Sequence, residues 1–278
     1  FTLSEKNAVV TATGSRGSVA LKSGDTLDLT ALCEGTDDMI TLRARSGSMQ
    51  AEKRVTFLRY DNVSTMFLVS DDPVNEGREW VESSEDKSNR AKGSMALLAA
   101  DGESVYDGKL TQIKGRGNST WKGAKRPYQI KLDKKTDLLQ TGDSADKAKT
   151  WVLLANFYDP SAVRNMLALD LGRALQMECN MGYRPVCLFY DGEFRGLYLL
   201  TEKVEVNEGR VDVTDLEKAN EKANPDVEDL TKLESKTGTT ANGATYLYCD
   251  GMNDPADITG GYLLEMDFAD RAMEEKCY

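Results

Sequence analysis

Along most of the first seventy residues, apolar and polar positions alternate with a period of two. "VALKSGDTLDLTAL" (Val19–Leu32) alternates around a Ser-Gly-Asp turn, and "ITLRARSGSMQAEKRVTFLR" (Ile40–Arg59) is two alternating runs joined by Ser-Gly-Ser. Such runs, separated by turn residues, predict strands and tight turns. No convincing helical period competes with them. A small β-sandwich-like module over residues 1–62 is the expectation. "MFLVSDD", from Met66, then predicts the first strand of a second region, 63–278.

From there the patterning mixes. "ESVYDGKLTQIKGRG" (Glu103–Gly117) offers a hairpin with Asp107-Gly108 at its tip, and "PVCLFYDGEFRGLYLL" (Pro185–Leu200) a clearer one turning at Asp191-Gly192. In "YQIKL" alternation puts Tyr128 and Ile130 on one face, Gln129 and Lys131 on the other. "YDPSAVRNMLALDLGRALQM" reads as a helix with Asp159 as cap and Pro160 in first position. Val163, Leu167, Leu171 and Leu175 share one of its faces. Residues 214–242 are charged, poor in aromatics and broken by Pro225, which predicts an exposed insertion with a mobile tip. Thr214 and Glu217 form a capping box for a short helix in it. "GGYLLEMDF" (Gly260–Phe268) then resumes an apolar strand.

Composition narrows the chemistry by exclusion. The 278 residues suit one large domain or two modest ones. No run approaches the roughly 18 to 20 apolar residues that span a bilayer, so no membrane span is expected. The chain starts at Phe1 without signal-peptide architecture and reads as a mature or trimmed form. A net charge of −11 argues against general nucleic-acid binding. There is no histidine, which removes the Ser-His-Asp triad, the Cys-His dyad and every His-ligated metal site. The five cysteines lie far apart with no CxxC pair, and ordinary buried thiols are expected.

Against that acidic background, eight Lys and Arg gather between Lys114 and Lys135, with Asp133 as the only acid. Gly115-Arg116-Gly117-Asn118-Ser119-Thr120 is a loop able to present successive backbone N–H groups, hydroxyls, an amide and a guanidinium. Such a nest suits phosphate oxygens. It is neither a dinucleotide fingerprint nor a P-loop; the bland alternative is a basic turn with Arg116 paired to an acid elsewhere. Lys131 has the place of a strand lysine behind a glycine-containing phosphate loop, or of a solvated edge lysine. Arg164 and Asn165, at the start of the helix, put a cation where the helix dipole disfavours one unless it has an anionic partner.

"IKGRGNSTW", "KRPYQIKLDKKTDLL", "WVLLANFYDPSAVRN", "DGEFRGLYLLTEKVEVNEGRV" and "GGYLLEMD" occur in the order and spacing of the CotH family, named for spore-coat protein H. The resemblance runs from about Met66 to Tyr278. It implies an α+β fold: an atypical protein-kinase-like upper lobe with an antiparallel sheet and packed helices, beside the all-β N-terminal module. It also implies ATP and magnesium as cofactors, a Ser-bearing protein as acceptor, and an extracellular or cell-surface location in bacteria.

Carried over, Arg116, Asn118 and Ser119 would face the nucleotide phosphates with Arg164 nearby, and Lys131 would be the strand lysine. "YLLTEKVEV" would lie near the adenine. The family's later acidic blocks, which supply catalytic base and metal ligand, have no counterpart here. The resemblance therefore implies a domain truncated before its catalytic segments, inactive by itself. A non-catalytic surface or adhesion scaffold is the competing reading, and carbohydrate binding through Trp121, Tyr128 and Tyr183 a third.

Overall fold

The computed structural model describes residues 8–22, 24–25, 27–34, 37–58, 62–142, 146–227, 234–248, 252–258 and 263. They fall into two compact units, one within residues 1–64 and 98–103, the other within 65–97 and 104–278.

The first unit is one antiparallel sheet with a single helical turn. Its strands are β1 (Val9–Gly14), β2 (Gly17–Leu21), β3 (Asp37–Ser46) and β4 (Met49–Leu58), in the order β2-β1-β3-β4; α1 (Leu29–Leu32) lies between β2 and β3. The β3–β4 hairpin pairs Ser46 with Met49 across a two-residue loop, and Gly47 supplies the positive φ (+61°) that such a turn requires. Val10, Ala12, Leu21, Leu32 and Ile40 form a small core. The α1 backbone comes so close to β1 that a Cβ on Gly14 would stand 2.4 Å from the Leu32 carbonyl oxygen. The described strands of this unit make one sheet, where two facing sheets were expected.

The second unit is a closed seven-stranded barrel. Its strands are β5 (Ser64–Ser70), β6 (Arg90–Leu98), β7 (Ser104–Gly115), β8 (Tyr128–Thr136), β9 (Ala148–Leu154), β10 (Tyr183–Tyr190) and β11 (Glu193–Glu202). They run round in the order β5-β6-β7-β8-β9-β11-β10 and close from β10 to β5. The alternation read from "YQIKL" is what fills it: Tyr128, Ile130 and Leu132 point inward and are wholly buried, with Met66, Leu68, Met95, Leu97, Ile113 and Trp151. Closure removes the free sheet edges that would otherwise invite aggregation. α2 (Arg78–Ser83) follows β5 and inserts Val81 into this core. α3 (Arg164–Ala174) lies between β9 and β10. Beyond the barrel come α4 (Leu216–Ala223) and the small hairpin of β12 (Lys236–Thr239) and β13 (Thr245–Tyr248).

The expected α+β fold, a kinase-like upper lobe with packed helices, is therefore corrected. Strand accounts for 43% of the described residues and helix for 14%, and the sheet packs on itself rather than under helices. α3 shows why. Val163, Leu167, Leu171 and Leu175 do share a face, but they are 48%, 68%, 57% and 66% exposed. Periodicity reports which residues face together, not whether anything covers them.

Two helix starts also move. α3 begins at Arg164, so Pro160 lies in the preceding turn, where Ala162 takes φ +57°. α4 is capped by Asp215, whose carboxylate accepts from the Lys218 N–H at 3.1 Å, rather than by Thr214. The strand expected at 260–268 lies, except for Leu263, outside the described residues. Cys33 and Cys187 are buried, whereas Cys179 is exposed.

Candidate functional site

The basic loop joins β7 to β8 at one rim of the barrel. It continues the ladder one step past the Gly115–Tyr128 pair, with the Arg116 N–H donating to the Pro127 carbonyl at 3.2 Å. Trp121, on a 3-10 turn spanning Ser119–Lys122, folds back under the loop and is 3% exposed. Its indole N–H donates to the Ser84 carbonyl at 2.8 Å. A Cβ on Gly115 would lie 2.3 Å from the Trp121 ring, so only glycine admits this contact. The Lys87 ammonium donates to the Gly117 carbonyl at 2.9 Å and pins the loop from outside.

The facing wall is the segment between β9 and α3. Asn156 adopts φ +50°, donates to the Ala162 carbonyl at 3.3 Å, and accepts from the Asn165 amide at 2.7 Å. Asp159 accepts from the backbone N–H of Ser161 (3.1 Å) and of Arg164 (2.8 Å), and so still organises the helix start. The Ser161 hydroxyl and the Arg164 N–H hold its carboxyl below the usual carboxylate range. The Tyr158 hydroxyl donates to the Ser119 carbonyl at 3.2 Å and bridges the two walls.

Between the walls lies a cavity of about 310 Å³, lined among others by Arg116, Leu154, Phe157, Asp159 and Arg164. Arg116 is half-buried and makes no side-chain hydrogen bond or ion pair with any described residue; burial pushes its pKa down. An arginine remains charged regardless. Arg164 reaches the same cavity from α3, with its side chain 75% exposed and its Nε 3.8 Å from Asp159. A second cavity of about 480 Å³, lined by Glu85, Lys87, Asn118, Ser119, Trp121 and Lys122, meets the first at Tyr158.

The structure thus brings Arg116 and Arg164 to one cavity and sets Asn118 and Ser119 in its neighbour. Lys131 stands exposed on the outer face of β8 and lines neither. Sequence reasoning missed Asn156, Phe157 and Tyr158. The signal available for them was two aromatics ahead of an Asp-Pro turn, which marks a loop that cannot bury its rings.

Residues 113–247 match the CotH kinase protein family. The matched stretch starts at Ile113 in β7 and takes in the basic loop, β8, β9, α3 and the β10–β11 hairpin, so both walls of the first cavity lie within it. No curated protein matches the chain. The CotH resemblance read from the sequence therefore holds over residues 113–247, although the fold expected from it does not. Among the described residues, no cluster of three or more Cys, Asp or Glu is placed to hold a metal ion.

Proposed function

We propose that this chain forms the phosphate-facing part of the nucleotide site of a CotH-type, ATP-dependent protein kinase whose acceptor is a Ser on an exported protein. The observation that carries this reading is Arg116: a half-buried guanidinium, unpaired among the described residues, on a cavity whose opposite wall carries a second guanidinium. A cation kept partly desolvated without a carboxylate is costly, and a phosphate oxygen is the partner its fork geometry fits.

The cavity, about 310 Å³, is at the lower end of the size of ligand sites and is suited to a phosphate-bearing end rather than a whole nucleotide. Phosphoryl transfer relies on positioning and on neutralising developing charge, and two arginines with a pinned loop supply both. Magnesium, when bound with the nucleotide, adds charge neutralisation on the phosphate oxygens. The described residues do not fit a protein-built cage for it. Asp159 is the only carboxylate on the first cavity, and its oxygens are already engaged at the start of α3. An extracellular or cell-surface setting belongs to the same proposal.

Calorimetric titration with ATP, with and without magnesium, tests it. Arg116→Ala should keep the fold and weaken binding at least about tenfold, roughly 1.4 kcal/mol. A wild-type chain that binds no nucleotide, or an Arg116→Ala chain that binds it equally well, would refute the proposal.

A further inference from the structure

Arg116 has company on its strand face. Ile113 and Gly115 are buried, so by alternation Lys114 and Arg116 both leave β7 on the outer side of the barrel. Lys114 is half-buried, and its ammonium makes no hydrogen bond or ion pair with any described residue. Besides burial, the charges that weigh on it most are those of Arg90 at the start of β6, Lys203 just after β11, and Lys87. Burial, with repulsion from Arg90, Lys203 and Lys87, pushes the Lys114 ammonium below the usual lysine range.

Two of these cations have partners. Lys203 lies 3.7 Å from Glu205, and Lys87 donates to the Gly117 carbonyl. Arg90 and Lys114, like Arg116, are unmatched among the described residues. Like charges held close together are destabilising. Arg90 is exposed, Lys114 is half-buried and neither lines the two cavities; on the outer face beside Arg116, in a chain of net charge −11, they favour an anion there.

Resting on the nucleotide reading above, we propose that the outer face of β7 is a track that reads the length of a phosphate chain: Arg116 takes one phosphate, and Lys114 with Arg90 takes the phosphates beyond it. Two residues along an extended strand are separated by roughly 7 Å. A lone phosphate engages one end of the track, and a triphosphate engages both. The ligand class is a polyphosphate chain, inorganic or carried on a nucleoside. No base contact is needed for the preference.

Inorganic phosphate, pyrophosphate and tripolyphosphate, with AMP, ADP and ATP in parallel, are titrated into the wild-type chain at fixed low ionic strength. Affinity should climb along both series. Lys114→Gln should weaken tripolyphosphate and ATP about tenfold and leave orthophosphate and AMP within about twofold. Lys114→Arg, which keeps the charge, should restore the gradient. Lys92→Gln, an exposed position on the outer face of β6, should change neither series. Circular dichroism confirms that each variant is folded.

A flat wild-type series would overturn the track. So would Lys114→Gln with undiminished tripolyphosphate affinity, or with equal losses for orthophosphate and tripolyphosphate. The two readings fail separately. Graded binding of the inorganic series without binding of ATP would sink the nucleotide site and leave the track standing. Equal affinity for AMP and ATP would do the reverse.

Discussion

Replacing Glu82 by alanine should destabilise the barrel by about 2 to 3 kcal/mol, and the structure sets that magnitude. Glu82, in the last turn of α2, has one carboxylate oxygen accepting from Arg78 at 2.7 Å. The other accepts from the Tyr128 hydroxyl and from Arg195 at 3.3 Å. The three charged side chains are only 13 to 16% exposed. Removing one member of a buried pair costs about 3 to 5 kcal/mol, because the partner is left charged and desolvated. Here the loss is cushioned, since Arg78 and Arg195 both also reach Glu193, at 2.6 and 2.8 Å. Glu193 is half-exposed, so that cushion is partial. Glu82→Gln, which keeps the size and one acceptor, should lose about half as much. Trp80, Trp121 and Trp151 are the only tryptophans, and all lie in the barrel unit, so urea unfolding followed by tryptophan fluorescence reports that unit alone. A double-mutant cycle with Arg195→Met should show coupling of about 0.5 to 3 kcal/mol. A loss below about 0.5 kcal/mol for Glu82→Ala, the scale of ordinary surface changes, would show that this network does not hold α2 to the barrel.

Gly115→Ala should cost about 1 to 3 kcal/mol, because its Cβ would overlap the Trp121 ring at 2.3 Å; unchanged urea stability, with Trp121 still protected from solvent quenching, would contradict the contact. Burial raises the pKa of the Glu202 carboxyl, against the opposing Gly182 N–H and Arg210. The folded state then holds its proton above the unfolded value of about 4.3, so stability should fall as pH rises from there through the folded pKa and level off beyond it. Glu202→Gln should flatten that segment of the stability–pH curve, and parallel curves for the two proteins would refute the assignment.

Several strands of the barrel were legible because each carries its own pattern. β8 buries Tyr128, Ile130 and Leu132 in alternation, and β6 carries a regular exposed–buried alternation from Arg90 to Met95 that sequence reasoning missed. Closure was not legible, because it depends on β10 meeting β5, some 120 residues earlier, and no local period records that. Asp191 is where the closure is made. In the sequence it is the first residue of an Asp-Gly turn, and it takes φ +50° there as such a turn requires. In the fold its N–H also donates to the Leu68 carbonyl at 2.9 Å. Its carboxylate accepts from the N–H of Ser70 (2.7 Å) and of Arg78 (2.8 Å), tying the end of β5 and the start of α2 to the hairpin. One residue satisfies a local rule and a long-range one, and only the local rule shows in the chain.

The site divides along the same line. Arg116 could be singled out because a guanidinium between two glycines ahead of Asn-Ser-Thr is a local arrangement with its own chemistry. Choosing a lysine to accompany it could not be done that way. Lys114 and Lys131 lie on neighbouring paired strands and both face outward, one in the Lys114–Gln129 pair and the other in the Gln112–Lys131 pair. Kinase-like spacing favours Lys131. What distinguishes Lys114 is the charge of Arg90, at the start of the neighbouring strand β6, and of Lys203, just after β11. Local spacing therefore points at the better-known position, and the charge environment points at the other. Strand order, which no local pattern records, is what gathers the cations.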